Sequence, residues 1–198
     1  AITANNAASL DWTGSQAVQI LNGTLLINSD AALGVAPGAA TADNVVINGG
    51  VLATSTGFTL AANRGVSLGS TNGVIDTSAF FNTIAGTVGG SGGLVKNGTG
   101  TLTLSGASNF TGGLFVNAGT VAFTNAAAPT TSGISVAGGA GLSLVNGSAQ
   151  TINLGSSPLH LGAGTGTTSL SIQLLGSGVN DNITTPGPAT PSNTVIVN

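Results

Sequence analysis

The sequence predicts an all-β fold, a right-handed parallel β-helix (β-solenoid), from three observations. One unit recurs along the chain: an apolar run rich in β-branched residues, then an Asn-Gly bend, then a second apolar run of the same kind. Its bends return every 20 to 26 residues, a spacing typical of stacked solenoid coils. Only 4% of the residues are charged, against roughly 25% in ordinary globular proteins. Stacked coils expose strand edges only at their two ends, so they need few of the charges that protect the edges of a sandwich.

The chain divides into four stretches. Residues 1–16 show no clear alternation and are expected to form a leading segment or a first partial coil. Residues 17–183 form the predicted β-solenoid, with a longer loop or short helical turn expected between residues 29 and 43. Residues 184–192 hold three of the six prolines and suggest an extended linker, because proline cannot donate to a strand ladder. Residues 193–198 form a terminal strand.

The bends are the positions where stacked coils could be joined by side chains. Asparagine tolerates positive φ, and stacked side-chain amides can hydrogen-bond from one coil to the next. The alternative is that each Asn-Gly is only the turn of a separate hairpin. The predicted bend ladder consists of Asn22, Asn48, Asn72, Asn97 and Asn117.

Alternation of side chains is clearest at Thr101–Leu104, where the leucines should face a core and the threonines should face outward. The 33 glycines and the many β-branched residues disfavour helix. A flat array of threonines from successive coils, with Thr99, Thr101 and Thr103 as its visible row, could bind ice or a regular glycan surface. The simpler alternative is that threonine is the polar residue that suits a strand in a charge-poor sheet.

Composition excludes several function classes. Two cations, Arg64 and Lys96, provide no basic footprint for nucleic acid or an anionic membrane. Polar residues interrupt every apolar run well before the ~18 residues of a transmembrane segment. The absence of cysteine excludes disulfides and thiolate metal ligands. The chain starts at Ala1 without a leader, so we expect any signal segment to have been removed.

A serine hydrolase pattern, Gly-x-Ser-x-Gly, occurs at residues 89–93. That motif needs a strand before it and a helix after it, and no helix is predicted to follow. The single histidine, His160, lies between two leucines in a strand-like run and is expected to point outward. We therefore predict no catalytic serine and no enzyme.

The acidic residues are too scattered to predict a carboxylate pair or a metal site, and no cofactor is expected. Asp30, Asp43 and Asp76 could meet on adjacent coils, but each is better explained as a turn or cap residue. A calcium-binding glycine-aspartate repeat is absent, because residues 89–93 lack the aspartate. The five acids are Asp11, Asp30, Asp43, Asp76 and Asp181. Asn-x-Ser/Thr sequences could accept glycans in a suitable host, but their overlap with predicted turns favours coincidence. They begin at Asn22, Asn97, Asn109, Asn146 and Asn182.

Residues 92–125 resemble the autotransporter-associated β-strand repeat, also called the passenger-associated transport repeat. The segment Gly93–Gly106 is similar to the first half of that repeat, and Asn109–Gly113 with Val116–Val121 is similar to the second half. The resemblance covers about one sixth of the chain. It implies a secreted or surface β-helical passenger of a Gram-negative-type bacterium, with a role in the export and folding of an extracellular stalk.

These observations favour a structural, non-enzymatic protein, a stalk or a subunit of an extracellular fibre. Its partner would be another copy of itself, joined by end-to-end stacking or by donation of the terminal strand to a neighbouring subunit. The alternative for that strand is that it folds back on its own molecule. The alternative function is a carbohydrate-binding or carbohydrate-degrading β-helix. The predicted assembly strand comprises Thr194, Val195, Ile196 and Val197.

Overall fold

The structure is a computed structural model that describes residues 2–4, 15–124, 131–144, 151–153, 159–163, 167–171, 182–184, 190–191 and 195–197. These residues contain one 3-10 helix, η1, at Asp30–Leu33. In chain order the strands are β1 (Ile2–Ala4), β2 (Val18–Ile20), β3 (Thr24–Ile27), β4 (Thr41–Ile47), β5 (Val51–Thr54), β6 (Thr59–Leu60), β7 (Arg64–Leu68), β8 (Gly73–Asp76), β9 (Asn82–Ile84), β10 (Val88–Gly89), β11 (Leu94–Asn97), β12 (Thr101–Leu104), β13 (Leu114–Val116), β14 (Thr120–Phe123), β15 (Ile134–Ala137), β16 (Gly141–Ser143), β17 (Thr151–Asn153), β18 (Leu159–Ala163), β19 (Thr168–Ser171), β20 (Asn182–Thr184), β21 (Thr190–Pro191) and β22 (Val195–Val197).

The strands form parallel sheets in which each strand pairs with its equivalents in the coils before and after. Sheet A has the order β1-β3-β5-β8-β11-β13-β15-β18-β21, sheet B has the order β2-β4-β7-β10, and sheet C has the order β6-β9-β12-β14-β16-β19-β22. A further pair, β17 with β20, is also parallel. The predicted fold class, an all-β solenoid, is confirmed. The right-handed sense of the coil stays a prediction.

The pairing register shows that one coil spans 20 residues in the regular part of the solenoid. Leu94 in β11 lies beside Leu114 in β13, and Leu114 lies beside Ile134 in β15. Insertions are accommodated between strands, as at η1 in the segment joining β3 to β4. Strands must remain in register while the connecting segments need not.

The core lies between the sheets and follows the alternation of each strand. In β12 the two leucines are buried and the two threonines are half-buried on the outer face. The same alternation continues through β14, where Val121 and Phe123 are buried. After β12 an irregular segment takes the place of a strand of sheet B. It buries Phe110 and forms a single bridge from Ser108 to Val88 of β10.

The bends lie at two different corners of the coil. One corner joins sheet B to sheet A, and the other joins sheet A to sheet C. Both corners turn the chain with a residue at positive φ, such as Gly49 (φ 81°) at the first and Gly98 (φ 81°) at the second. One turn chemistry thus serves two positions in the coil, which explains why the bends have similar sequences.

Candidate functional site

The bend asparagines separate into two sets. Asn22, Asn48 and Asn72 lie at the corner between sheets B and A, whereas Asn97 and Asn117 lie at the corner between sheets A and C. The single ladder expected from sequence is therefore divided between two corners.

Contacts between coils differ between the two corners. At the first corner, Asn48 Oδ1 accepts the backbone N–H of Thr71 at 3.0 Å, and Asn72 Oδ1 accepts the backbone N–H of Gly93 at 2.7 Å. At the second corner, Asn117 Nδ2 donates to Asn97 Oδ1 at 3.0 Å. Each of these bonds joins one coil to the next, so the bend asparagines contribute contacts along the solenoid axis.

Lys96 occupies an interior position of β11, between Ile75 and Val116 of the neighbouring strands. Its side chain is fully buried. The ammonium Nζ donates to the backbone carbonyls of Asn97 (2.8 Å), Gly98 (2.7 Å) and Ala118 (3.3 Å). These carbonyls belong to the bends of two successive coils, so one lysine joins both bends from inside.

Burial lowers the pKa of Lys96 from 10.5 to about 8, while the carboxylate of Asp76 partly opposes this shift. The sequence contained the signal for this site, because Lys96 follows Leu94 by two residues and must share its face.

Arg64 is the second fully buried cation, and it binds the segment that carries η1. Its Nε donates to Asp30 Oδ1 at 2.9 Å, and its terminal nitrogens donate to the carbonyls of Leu33 (3.2 Å) and Gly34 (2.9 Å) and to Asn44 Oδ1 (2.6 Å). Asp30 Oδ1 also accepts the backbone N–H of Ala61 at 3.1 Å. This network joins three segments that are distant in sequence, and no local sequence pattern predicts it.

The remaining described acids have separate partners. Asp43 accepts a hydrogen bond from Ser15 Oγ at 2.6 Å, and Asp76 accepts the backbone N–H of Ser78 at 2.7 Å. Asp11 and Asp181 lie outside the described residues. Within the part of the chain that the structure describes, no group of three or more His, Cys, Asp or Glu residues could hold a metal ion.

Glycines at residues 89–93 serve close packing between coils. Strand β10 ends at Gly89, and β11 begins at Leu94, so a strand rather than a helix follows the pattern. A Cβ at Gly92 would clash with the carbonyl oxygen of Gly69 in the preceding coil. His160 points outward from β18, three strands along sheet A from β11, beside Ser135. The structure does not bring His160 to Ser91.

The outer face of sheet C carries hydroxyl groups. Thr59, Thr83 and Thr103 are register partners on three adjacent strands. Thr101 and Thr103 both face outward from β12, whereas Thr99 lies in the bend and donates to the carbonyl of Ser78 at 3.4 Å. The threonines of successive coils therefore form a patch on the outer face of sheet C, and of the expected row only Thr99 lies outside it, in the bend.

Aromatic side chains are exposed at one corner and on sheet A. The segment 77–81 between β8 and β9 is two residues longer than the next corner at 98–100, and it carries Phe80 (38% exposed) and Phe81 (77% exposed). On sheet A, Phe115 (38% exposed) packs its ring over Gly113 and lines a groove of about 120 Å³ with Ser135 and His160.

Different strands form the two ends of the solenoid. At the N-terminal end, β1 is the last strand of sheet A, and the η1 segment lies against the segment from β6 to the start of β7, because Asp30 accepts from Ala61 and from Arg64. At the C-terminal end, β21 and β22 are the last strands of sheets A and C. β21 lies within the predicted linker, and β22 pairs with β19 of the same chain. Thr194 of the predicted assembly strand lies outside the described residues.

Residues 94–123, which span β11 to β14, match the passenger-associated-transport-repeat family. No curated protein and no solved structure matches the chain significantly. The matched segment contains Lys96 and both asparagines of the second corner, Asn97 and Asn117.

Proposed function

We propose that this chain, which carries a passenger-associated transport repeat at residues 94–123, is a non-enzymatic structural segment of an extracellular β-helical passenger. In this proposal it forms a stalk, or a subunit of a fibre that grows by end-to-end stacking of solenoids. The match supports a passenger-type β-helix, since the repeat is a structural one. Among the described residues no helix is long and apolar enough to cross a membrane.

The observation that carries the fibre proposal is the parallel stacking of equivalent strands. A parallel stack leaves backbone donors and acceptors at its two ends, where another copy can add. β1 at one end and β21 at the other belong to the same sheet, so stacking two copies would continue sheet A across the junction. The low charge content provides little electrostatic repulsion between copies.

Strand donation would be a swapped form of a pairing that exists within the chain. β22 pairs with β19 through Thr168–Val195, Ser169–Ile196 and Leu170–Val197. A neighbouring copy could supply the same strand by exchange, with the proline-rich segment as the hinge. End-to-end stacking needs no exchange, and we propose it as the main route.

Electron microscopy of the concentrated protein at neutral pH tests this proposal. We expect filaments, and we expect Ile196→Pro to reduce their number, because proline removes a backbone donor from the end strand and disrupts its ladder. Ile196→Val is the matched control and should assemble like the parent chain. Monomers at every concentration, both for the full chain and for a chain lacking residues 184–198, would contradict the fibre proposal.

A second candidate function, carbohydrate binding, is favoured by the exposed corner at residues 77–81. Insertions in solenoids commonly carry binding residues, and Phe81 at 77% exposure presents an apolar ring in the same corner as the exposed Ser78. A glycan array tests this candidate. Binding that is lost in Phe81→Ala but kept in Phe115→Ala would support it.

The acids provide a further arm of that test. Asp43→Asn, which among the described residues touches neither the corner nor Arg64, should bind like the parent if the corner ring is responsible. Asp30→Asn and Asp76→Asn are compared with the parent under conditions in which each variant stays folded, because Asp30 pairs with buried Arg64 and Asp76 holds Ser78 of the corner. No binding of the parent chain to any glycan on the array would remove this candidate.

A further inference from the structure

We infer that Asn22 is a site of spontaneous chemical modification, at which the first bend of the solenoid converts to aspartate and isoaspartate by reaction with water. Four Asn-Gly pairs lie in the described bends, at Asn22, Asn48, Asn72 and Asn97. Glycine after asparagine leaves the following backbone nitrogen unhindered, so all four have the local sequence needed for the reaction. The contacts around them differ.

The reaction has two balanced steps. The backbone nitrogen of Gly23 bonds to Cγ of Asn22, and the side-chain nitrogen leaves as ammonia with the proton of the backbone nitrogen, which gives a five-membered imide. Water then opens the imide at either carbonyl, which gives aspartate or isoaspartate. The first step requires a mobile side chain and a backbone N–H that is not held elsewhere.

At Asn48 both requirements are blocked. Its Oδ1 accepts the backbone N–H of Thr71, and the attacking nitrogen, that of Gly49, donates to the carbonyl of Asn72 at 2.8 Å. The side chain and the nucleophile are therefore both tied to the next coil.

Asn72 is held in the same way. Its Oδ1 accepts from Gly93, and the nitrogen of Gly73 donates to the carbonyl of Gly93 at 3.0 Å. At Asn97 the side chain is held by Asn117. Stacking thus protects each of these three bends by bonds to the following coil.

Asn22 is exposed, and no hydrogen bond to another described residue holds its side chain or the nitrogen of Gly23. Gly23 has φ of 74° and open space around the position of a Cβ. A cavity of about 110 Å³ beside Asn22, lined also by Gln19 and Thr24, has room for water. Among the described bends, the first alone combines access for water with a side chain and an attacking nitrogen that no described neighbour holds.

Peptide mapping by mass spectrometry tests the inference. The folded chain is incubated at mildly alkaline pH and digested with chymotrypsin or pepsin at intervals, and the mass gain that separates Asp from Asn is followed at each bend. We expect conversion at Asn22 to be at least roughly tenfold faster than at Asn48 or Asn72, because two hydrogen bonds must break first at those sites. Asn146–Gly147 lies outside the described residues, and its peptide is scored separately.

Two controls separate the fold from the local sequence. In urea all four pairs should react at similar rates, because each asparagine precedes a glycine. Asn22→Gln, which keeps the amide but lengthens the side chain, should remove the fast phase from the folded chain. Conversion at Asn22 no faster than at Asn48 in the folded chain would overturn the inference.

Discussion

The two cations of this chain are both buried, and each donates hydrogen bonds to backbone carbonyls; Arg64 also pairs with Asp30. Lys96 donates to three carbonyls of two bends, and Arg64 donates to two carbonyls in addition to Asp30 and Asn44. The carbonyls of Gly98 and Ala118 lie outside the strands and their ladders, so these buried bends need donors from elsewhere. A charge-poor chain uses its two cations as those donors.

Lys96 predicts an unusual dependence of stability on pH. Its folded pKa is about 8 and its usual value is 10.5, so between these values the unfolded chain holds a proton that the folded chain has released. Raising the pH through this window should therefore increase the free energy of unfolding, by an amount on the order of 3 kcal/mol. Chemical denaturation at pH 7 to 11 measures it.

The chain offers a clean background for that measurement. It has no tyrosine and no cysteine, and Lys96 is the only lysine. Besides Lys96, only the α-amino group is therefore expected to titrate near this window. Lys96→Met should abolish the increase. A free energy of unfolding that falls between pH 8 and 10.5 would contradict the assignment.

Asp30 predicts a large loss of stability when its charge is removed. Asp30→Asn leaves the guanidinium of Arg64 buried without its carboxylate, and losing one partner of a buried ion pair costs about 3 to 5 kcal/mol. Asp43→Asn is the matched control, because that exposed carboxylate bonds only to a serine hydroxyl among the described residues, and it should change stability by less than about 0.5 kcal/mol. Equal urea midpoints for the two variants would argue against the network.

At the scale of elements, the corners determine which glycines are essential. Gly98 is the first residue after β11 and Gly139 is the second residue after β15, and their φ angles are 81° and 83°. A Cβ at Gly98 would clash with the backbone nitrogen of Ser78, whereas a Cβ at Gly139 meets nothing within 4 Å. The same bend is thus packed tightly between regular coils and loosely farther along.

This difference predicts unequal costs for one substitution. Gly139→Ala should cost about 1 to 2 kcal/mol from its positive φ alone, while Gly98→Ala should cost about 1 to 3 kcal/mol more, because the corner must also move to relieve overpacking. Thermal or urea unfolding of both variants measures the difference. A smaller loss for Gly98→Ala than for Gly139→Ala would contradict the packing at this corner.

Sequence predicted the strands well where local alternation determines the buried face. Thr101–Leu104 shows this, since its leucines had to share a core and its threonines had to face outward. Sequence could not assign the bends to corners, because Asn48 and Asn97 are each followed by a glycine and form turns of the same kind, although they lie at different corners. It could not find the Arg64–Asp30 contact either, because that pair is 34 residues apart and follows no local period.

At the scale of the whole molecule, the burial of both cations predicts resistance to trypsin. Arg64 and Lys96 are the only cleavage sites, and both side chains have 0% exposure. The folded chain should therefore remain intact under conditions in which the urea-unfolded chain is cut at both positions. Electrophoresis after timed digestion measures this, and rapid cleavage of the folded chain would show that its coils open readily.

The parallel stack itself is tested most directly by cross-linking, since the chain contains no cysteine. Thr83 and Thr103 are register partners with outward side chains, so their Cα atoms lie about 4.8 Å apart, within the range of a disulfide. Thr101 lies on the same face of β12 but two residues out of register, about 8 Å from Thr83, which is beyond that range. We expect mild oxidation to close a disulfide within the chain in Thr83→Cys/Thr103→Cys and not in Thr83→Cys/Thr101→Cys. Equal cross-linking of both pairs, or cross-linking of the second pair alone, would contradict a solenoid with this register.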